Sequence, residues 1–174
     1  MGYSQLKTKD TITLQDIRIK SFGLGFPDIA EYLKLLDVCE LSHHVPEVIR
    51  QSFDIARNTL AYTYFCYELS MPAQLYAYSV VELALKTKLE LLGFKTDKSS
   101  LKKRYDDVRS RNLIAFKSDE DKSMIDFYVK YLSSKSFFGK RNELAHGSNM
   151  LETPFDALND LRKCSILINA LFSE

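Results

Sequence analysis

The sequence predicts an all-α fold, an antiparallel bundle of about five helices with an irregular N-terminal arm. The chain of 174 residues contains only 6 Gly and 4 Pro, so few positions interrupt regular structure. Apolar residues recur every three or four positions along several stretches, as on the buried face of a helix. A hydrophobic content of 45% and a charged content of 27% are those of one globular domain.

The first 45 residues are predicted to form the N-terminal arm and a first helix, and residues 46–174 the helical bundle of the same domain. Residues 11–19 alternate roughly like a short strand, but two glycines break the pattern before Pro27. We therefore expect an irregular segment there. A first helix is expected from Asp28, its N-cap, to Leu41.

Two strongly amphipathic stretches follow. The first opens at Pro46, a favourable first-turn residue, and its apolar stripe runs to Tyr67. Met71-Pro72 is predicted to interrupt it. The second runs from Pro72 to Leu92, and Gly93 is its expected C-terminal stop.

Residues 95–118 are the most polar part of the chain, with one short helix expected around Leu101 to Val108. Asp119 then begins a helix that either continues to His146 or breaks near residues 133–134 and Gly139. Gly147 is a natural residue to follow its end.

The last helix is predicted from Thr153-Pro154, an N-cap and first-turn pair, to a point near Phe172.

Charge and hydropathy limit the possible partners and location. A net charge of +1 excludes a strongly basic surface over the whole protein, so any RNA contact must use a local patch of positive charge. No run of apolar residues is long enough for a membrane span, and no signal peptide is recognisable at the start. Cys66 and Cys164 lie in apolar stretches and are expected to be buried, reduced thiols. These features predict a cytoplasmic protein that does not contact membranes.

The motifs of most enzyme classes are absent. No Cys/His cluster has the spacing of a zinc site, and His43-His44 lacks partners at metal-binding spacing. The sequence contains no Gly-rich phosphate loop, GxSxG elbow or HExxH motif. We therefore expect neither a metal nor a cofactor.

The segment that carries chemistry is Arg141 to His146. With about 100° per residue, Arg141 falls in the middle of an apolar helical arc, and Asn142 and His146 lie at its edge. A guanidinium on an apolar face needs an anion, a partner chain or a route to solvent. His146 is expected in the last helical turn, where the helix dipole suits a proton donor and phosphate binder.

Arg and His together suffice for RNA cleavage, because RNA supplies its own nucleophile, the 2′-OH. Such cleavage needs a proton acceptor or donor near the 2′-OH and 5′-O, and a fixed cation on the phosphorane oxygens. His146 suits the first role and Arg141 the second. The products would be a 2′,3′-cyclic phosphate and a 5′-OH end, formed without a metal.

The pattern Arg141-Asn142-Glu143-Leu144-Ala145-His146, followed by Gly147, resembles the signature of HEPN domains (higher eukaryotes and prokaryotes nucleotide-binding). In that family an Arg and a His are separated by four to six residues near the end of a helix, and one last helix follows. Residues 77–86 resemble an upstream HEPN helix. The resemblance covers roughly residues 46–172.

The resemblance implies an antiparallel helical bundle that forms a homodimer, with two Arg/His pairs in one basic cleft at the dimer interface. Many members of the family are endoribonucleases of toxin–antitoxin or antiviral-defence systems, so an antitoxin or another protein is a possible partner. Other members are inactive and bind only a nucleotide or a protein partner. The sequence leaves that alternative open.

Further residues are predicted to support the site. Asn142 is a candidate site residue, and Glu82 is expected to orient Arg141 or His146 from a neighbouring helix. The alternative for Glu82 is a surface pair with Lys86. The candidates for RNA contact, which are alternatively a solvated face, are Lys140, Lys102, Lys103 and Arg104.

Overall fold

The structure, a computed structural model, describes residues 7–21, 28–96, 100–130, 137–146 and 152–173. This part of the chain is α-helical and contains no strand, which confirms the predicted all-α bundle. The helices are α1 (Ile17–Ser21), α2 (Ile29–Lys34), α3 (Glu47–Ala61), α4 (Ser70–Leu91), α5 (Leu101–Ser110), α6 (Asp119–Lys130), α7 (Phe137–Ala145) and α8 (Pro154–Leu171).

The long helix α4 lies at the centre of the bundle. It packs against α3, α5, α7 and α8, and its buried face continues along its whole length from Ser70 to Leu89. Leu36 and Cys39, which follow α2 in a 3-10 turn, belong to the same hydrophobic core. Residues of the first 45 positions therefore share one core with the bundle.

The predicted interruption at Met71-Pro72 is wrong. The break lies earlier, at residues 62–69, where two short 3-10 turns join α3 to α4. Pro72 is the third residue of α4, and a proline in the first turn removes an N–H that has no acceptor within the helix. Helix α4 therefore includes Met71-Pro72, and the proline costs it no backbone hydrogen bond.

Several predicted helix ends are confirmed. Asp28 caps α2 by accepting a hydrogen bond from the Glu31 N–H, and Gly93 follows α4 with a φ of 79°. Thr153 begins α8 in a capping box with Asp156. Helix α7 runs through Gly139, so the alternative of a break at that residue is wrong. The other proposed break, at residues 133–134, and the Gly147 cap lie outside the described residues.

A buried polar group joins α4 to α8. The Gln74 side-chain amide donates to Asp160 Oδ2 at 2.9 Å and to Glu152 Oε2 at 2.5 Å. Tyr78 donates to the same Asp160 oxygen at 2.9 Å, and Lys163 lies 3.3 Å from Oδ1. Asp160 is almost inaccessible to solvent, and these donors compensate its burial.

The N-terminal segment is folded onto the bundle. Residues 7–16 form turns without a regular element, as expected for the predicted irregular arm, whereas residues 17–21 form α1, a short helix that was not predicted. Ile19 is buried, and the Asp16 N–H donates to the Tyr64 carbonyl at 2.9 Å. Arg18 pairs with both Asp16 (2.7 Å) and Glu68 (2.6 Å). This Asp16–Arg18–Glu68 clamp fixes the segment to the junction between α3 and α4.

The clamp lowers the pKa of Asp16. Burial alone would raise it, but hydrogen bonds from the Arg18 guanidinium and from the backbone N–H groups of Tyr67 and Arg18 outweigh burial and bring the pKa to about 2. The hydrogen bond from Arg18 likewise lowers the pKa of Glu68. The ionised carboxylates are therefore part of the folded state.

Two of the three cysteines, Cys39 and Cys164, are buried, and burial raises the pKa of Cys39 to about 12. Cys66 is only half buried, because it lies in the junction between α3 and α4 and not within a helix. All three are free thiols.

None of the helices in the described ranges combines the length and the apolar character that crossing a bilayer requires.

The Asp16 carboxylate predicts an acid-dependent loss of stability. Its pKa is about 2 in the folded chain against 3.8 in the unfolded one, so its contribution is complete above about pH 4 and is lost as the pH falls towards 2. The loss should reach about 2 kcal/mol of unfolding free energy at most. In Asp16→Asn this component should be absent. Urea denaturation at a series of pH values measures it.

Asp10→Asn, which changes an exposed carboxylate outside the clamp, is the control and should follow the wild-type curve. If Asp16→Asn also follows that curve between pH 4 and 2, the clamp does not contribute as described.

Candidate functional site

A single carboxylate on α4 joins two arginines from two other helices. Glu82 Oε2 accepts a hydrogen bond from Arg141 Nη2 of α7 at 3.0 Å. Glu82 Oε1 accepts one from Arg104 Nη1 of α5 at 2.8 Å. The side chains of Arg104, Glu82 and Arg141 are 12%, 27% and 32% exposed, so the cluster lies between core and solvent. We call these three residues the Arg–Glu–Arg cluster.

Helical phase explains why both arginines turn inward. Arg104 lies on the side of α5 that carries Leu101, Tyr105 and Val108, all of them buried. Arg141 lies on the side of α7 next to Leu144, which packs against the core. Each guanidinium is thus brought to the bundle by its apolar neighbours and needs a buried anion, which Glu82 supplies.

The cluster has a surplus of positive charge. Two guanidiniums and one carboxylate sum to +1, and Arg104 additionally points an Nη2 donor at the Thr96 carbonyl 3.5 Å away. Arg141 Nη1 lies 3.3 Å from the amide oxygen of Asn142, a long hydrogen bond to an exposed side chain. The buried Nε of Arg141 has no hydrogen-bond partner among the described residues. The Arg141 side chain as a whole is 32% exposed, so the accessible part of its guanidinium can donate to an added anion.

His146 and Asn142 occupy the exposed end of α7. The His146 N–H donates to the Asn142 carbonyl at 3.0 Å and so closes the last helical turn. Both side chains are exposed, whereas Arg141 is directed at Glu82. In the described part of the chain, Arg141 and His146 do not contact each other, as expected for residues five apart on a helix.

Glu82 contacts Arg141 and not His146, so of its two predicted targets the structure shows the first. The alternative, a surface pair with Lys86, is not seen: Lys86 lies 3.7 Å from Glu90. Glu82 therefore joins α4 to its neighbours.

The predicted RNA contacts divide into two groups. Lys102 and Lys103 are exposed on α5, where their ammonium groups reach solvent. Arg104, the third residue of that run, is instead directed inward to Glu82. Lys140 belongs to α7, but its side chain lies outside the described residues.

Sequence reasoning missed the role of Arg104 in holding Glu82. The signal was present, since Arg104 follows Leu101 by three residues and precedes Val108 by four, which places it on the apolar side of α5. The same argument singles out Arg141. The prediction grouped residues 102–104 by their charge as candidates for RNA contact, whereas helical phase separates Arg104 from the two lysines.

The described residues contain no group of three or more His, Cys, Asp and Glu side chains that could hold a metal ion. The chemistry available to the cluster is that of two guanidiniums and a carboxylate, which suits a phosphate or another anion.

Comparison with protein-family models, with curated proteins and with solved structures returned no match to this chain. The resemblance to HEPN domains stays a prediction that depends on the Arg141–His146 pattern and its helical setting.

The Arg–Glu–Arg cluster predicts the effect of removing its carboxylate. In Glu82→Ala two guanidiniums remain in a half-buried site without an anion, so the unfolding free energy should fall by about 1–3 kcal/mol. Inorganic phosphate should recover part of this loss by taking the place of the carboxylate. Urea denaturation with and without phosphate, at constant ionic strength, measures both effects.

Glu31→Ala is the matched control, because the Glu31 carboxylate forms an exposed pair with Lys34 at 4.0 Å. That variant should lose at most about 0.5 kcal/mol. A loss in Glu82→Ala no larger than in the control would show that the cluster does not stabilise the bundle.

Proposed function

We propose that this chain is a metal-independent endoribonuclease of the HEPN type that cleaves RNA as a homodimer, in a toxin or antiviral-defence setting. The observation that carries the proposal is the Arg–Glu–Arg cluster: Glu82 holds Arg141 at the surface of the bundle, and the exposed His146 directly follows α7, the helix that carries Arg141. An antitoxin or another protein would be its protein partner and would bind over this surface.

The reaction needs the 2′-OH of RNA, an arginine and a histidine. The 2′-oxygen attacks the adjacent phosphorus, the bond from phosphorus to the 5′-oxygen breaks, and the products are a 2′,3′-cyclic phosphate and a 5′-hydroxyl. The 2′-OH loses its proton to the imidazole of His146, which is exposed at the end of α7. The imidazolium formed in this way gives a proton to the departing 5′-oxygen, so His146 returns to its neutral form.

Arg141 stabilises the charge that develops on the non-bridging phosphate oxygens. Glu82 holds its guanidinium in place, and Arg104 holds the second oxygen of Glu82, so the position of Arg141 is set before substrate binds. The net charge of +1 of the cluster favours an anionic ligand. Lys102 and Lys103, exposed on α5, are suited to neighbouring phosphates of the same strand.

A second copy of the chain supplies what one α7 lacks. Arg141 and His146 do not contact each other within the described chain, and their directions on the helix differ by about 140°. His146 and Asn142 are exposed and can therefore face Arg141 of another copy. A two-fold arrangement of two α7 helices would place two such pairs around one strand of RNA.

The proposal predicts RNA cleavage that both Arg141→Ala and His146→Ala abolish. We expect each variant to lower the rate by at least about a hundredfold, since a proton-transfer group or an oxyanion-stabilising group is lost. Cleavage should be unaffected by EDTA and should leave 2′,3′-cyclic phosphate ends. A substrate with 2′-deoxyribose at the cut site should remain intact. Gel assays with end-labelled RNA and mass spectrometry of the products measure this.

Arg162→Ala and His43→Ala, which change an exposed Arg and an exposed His away from α7, are the matched controls and should cut at the wild-type rate. Circular dichroism and thermal unfolding verify that all variants are folded. RNA that stays intact with wild-type protein, or cutting that persists in Arg141→Ala, would refute the proposed activity.

A second candidate function is an inactive HEPN module that binds a nucleotide or a protein partner. The positive surplus of the Arg–Glu–Arg cluster favours it, because phosphate binding there does not require His146. In that case a nucleotide should stabilise the protein against thermal unfolding, Arg141→Ala should remove the effect, His146→Ala should retain it, and no RNA should be cut.

A further inference from the structure

The outward side of α3 carries no charged residue over four helical turns. Its side chains occupy an arc of about 120°, next to the charged flank of the helix and away from its buried side. We call this surface the α3 face, and it consists of Val48, Gln51, Ser52, Ile55, Asn58, Thr59 and Tyr62. In a chain in which 27% of residues are charged, an uncharged and exposed stripe of this length indicates a contact surface.

The α3 face combines exposed apolar side chains with hydroxyl groups that already donate hydrogen bonds within the helix. Val48, Ile55 and Tyr62, seven residues apart, are 57%, 51% and 60% exposed. The Ser52 hydroxyl donates to the Val48 carbonyl at 2.8 Å, and the Thr59 hydroxyl donates to the Ile55 carbonyl at 2.7 Å. Both hydroxyl donors are thus used within the helix, and their oxygens remain acceptors.

The chemistry of the α3 face is complementary to itself. If two copies of α3 cross antiparallel about a two-fold axis at Ile55, each residue meets the one equally far on the other side of position 55. Ile55 then meets Ile55, and Val48 meets Tyr62.

The polar positions match in the same register. Ser52 meets Asn58 and Thr59 meets Gln51, so each hydroxyl oxygen that can accept faces an amide NH₂ that can donate. The Gln51 amide uses one hydrogen toward Glu47 Oε1 at 2.9 Å and keeps the other.

We propose that the α3 face binds the α3 face of a second copy of this chain, in an antiparallel contact centred on Ile55. The absence of any Lys or Arg on the face argues against nucleic acid or an anionic membrane as its occupant. The matched hydroxyl and amide positions favour an identical helix over an unrelated one. The inference does not depend on ribonuclease activity, since α3 and α7 pack separately against α4.

The contact is small, so we expect a weak association. Seven residues a side is well below the roughly 20–30 residues a side of a standard stable interface. The association should therefore depend on protein concentration and exchange rapidly, with apolar burial around Ile55 as its main attraction.

Sedimentation velocity over a wide range of protein concentration tests the contact. The wild-type chain should gain mass as concentration rises, and Ile55→Lys should abolish that gain by placing two like charges at the two-fold axis. Leu91→Lys, at an exposed apolar position at the end of α4, is the matched control and should associate like wild type. If the chain also dimerises through α7, the wild type forms tetramers and Ile55→Lys forms dimers, which equally supports the proposal.

Cysteine cross-linking tests the register. Ile55→Cys should form a disulfide-linked dimer under mild oxidation at high concentration. Ser52→Cys and Asn58→Cys should cross-link when mixed far more than either does alone. A wild-type chain of constant mass, an Ile55→Lys variant that still gains mass as wild type does, or cross-links in another register would overturn the proposal.

Discussion

The bundle depends on one carboxylate that serves two guanidiniums. Glu82 lies on the central helix, and the arginines it binds come from α5 and α7, so one side chain determines how two further helices can sit on α4. Neither arginine can turn inward without it, because a half-buried guanidinium without an anion is costly. The packing of α5 and α7 and the location of the candidate site are therefore consequences of the same interaction.

This arrangement links stability to the proposed chemistry. A cation that must stabilise a developing negative charge is effective when it is already in position. Glu82 holds Arg141 in position, and because its carboxylate is shared with Arg104, the cluster keeps a net positive charge. His146 has the opposite character: it is exposed at a helix end, and the described residues do not position its ring. Within the proposed site, Arg141 is thus held in place by its own chain, whereas the exposed His146 is accessible to substrate or to a second copy.

Much of the fold followed from local patterns. The Asp28 and Thr153 caps and the Gly93 stop are set by neighbouring residues and lie where the sequence predicted them, and the apolar stripes of α3 and α4 are as predicted except at the junction between the two helices. The errors arose where distant contacts decide. Residues 11–19 have a strand-like alternation, but the salt bridge from Arg18 to Glu68, fifty residues away, and the hydrogen bond from Asp16 to Tyr64 favour a turn and a short helix.

In the candidate site, too, local patterns predicted some features, and contacts between distant residues decided the others. Helical phase was sufficient to mark Arg141 as a residue in need of an anion, and it placed Asn142 and His146 at the edge of α7. It was not sufficient to select Arg141 over His146 as the partner of Glu82, because that choice depends on how α7 lies across α4. Nor did charge clustering distinguish the inward Arg104 from the exposed Lys102 and Lys103.

The clamp formed by Asp16, Arg18 and Glu68 also has a consequence for the order of folding. Arg18 cannot reach Glu68 until the chain has been synthesised through the junction between α3 and α4, fifty residues later. Residues 16–19 can therefore dock only after α3 and the junction that follows it have been made. During synthesis Ile19, buried in the finished protein, remains exposed, and the nascent chain carries an unprotected apolar side chain until the junction arrives.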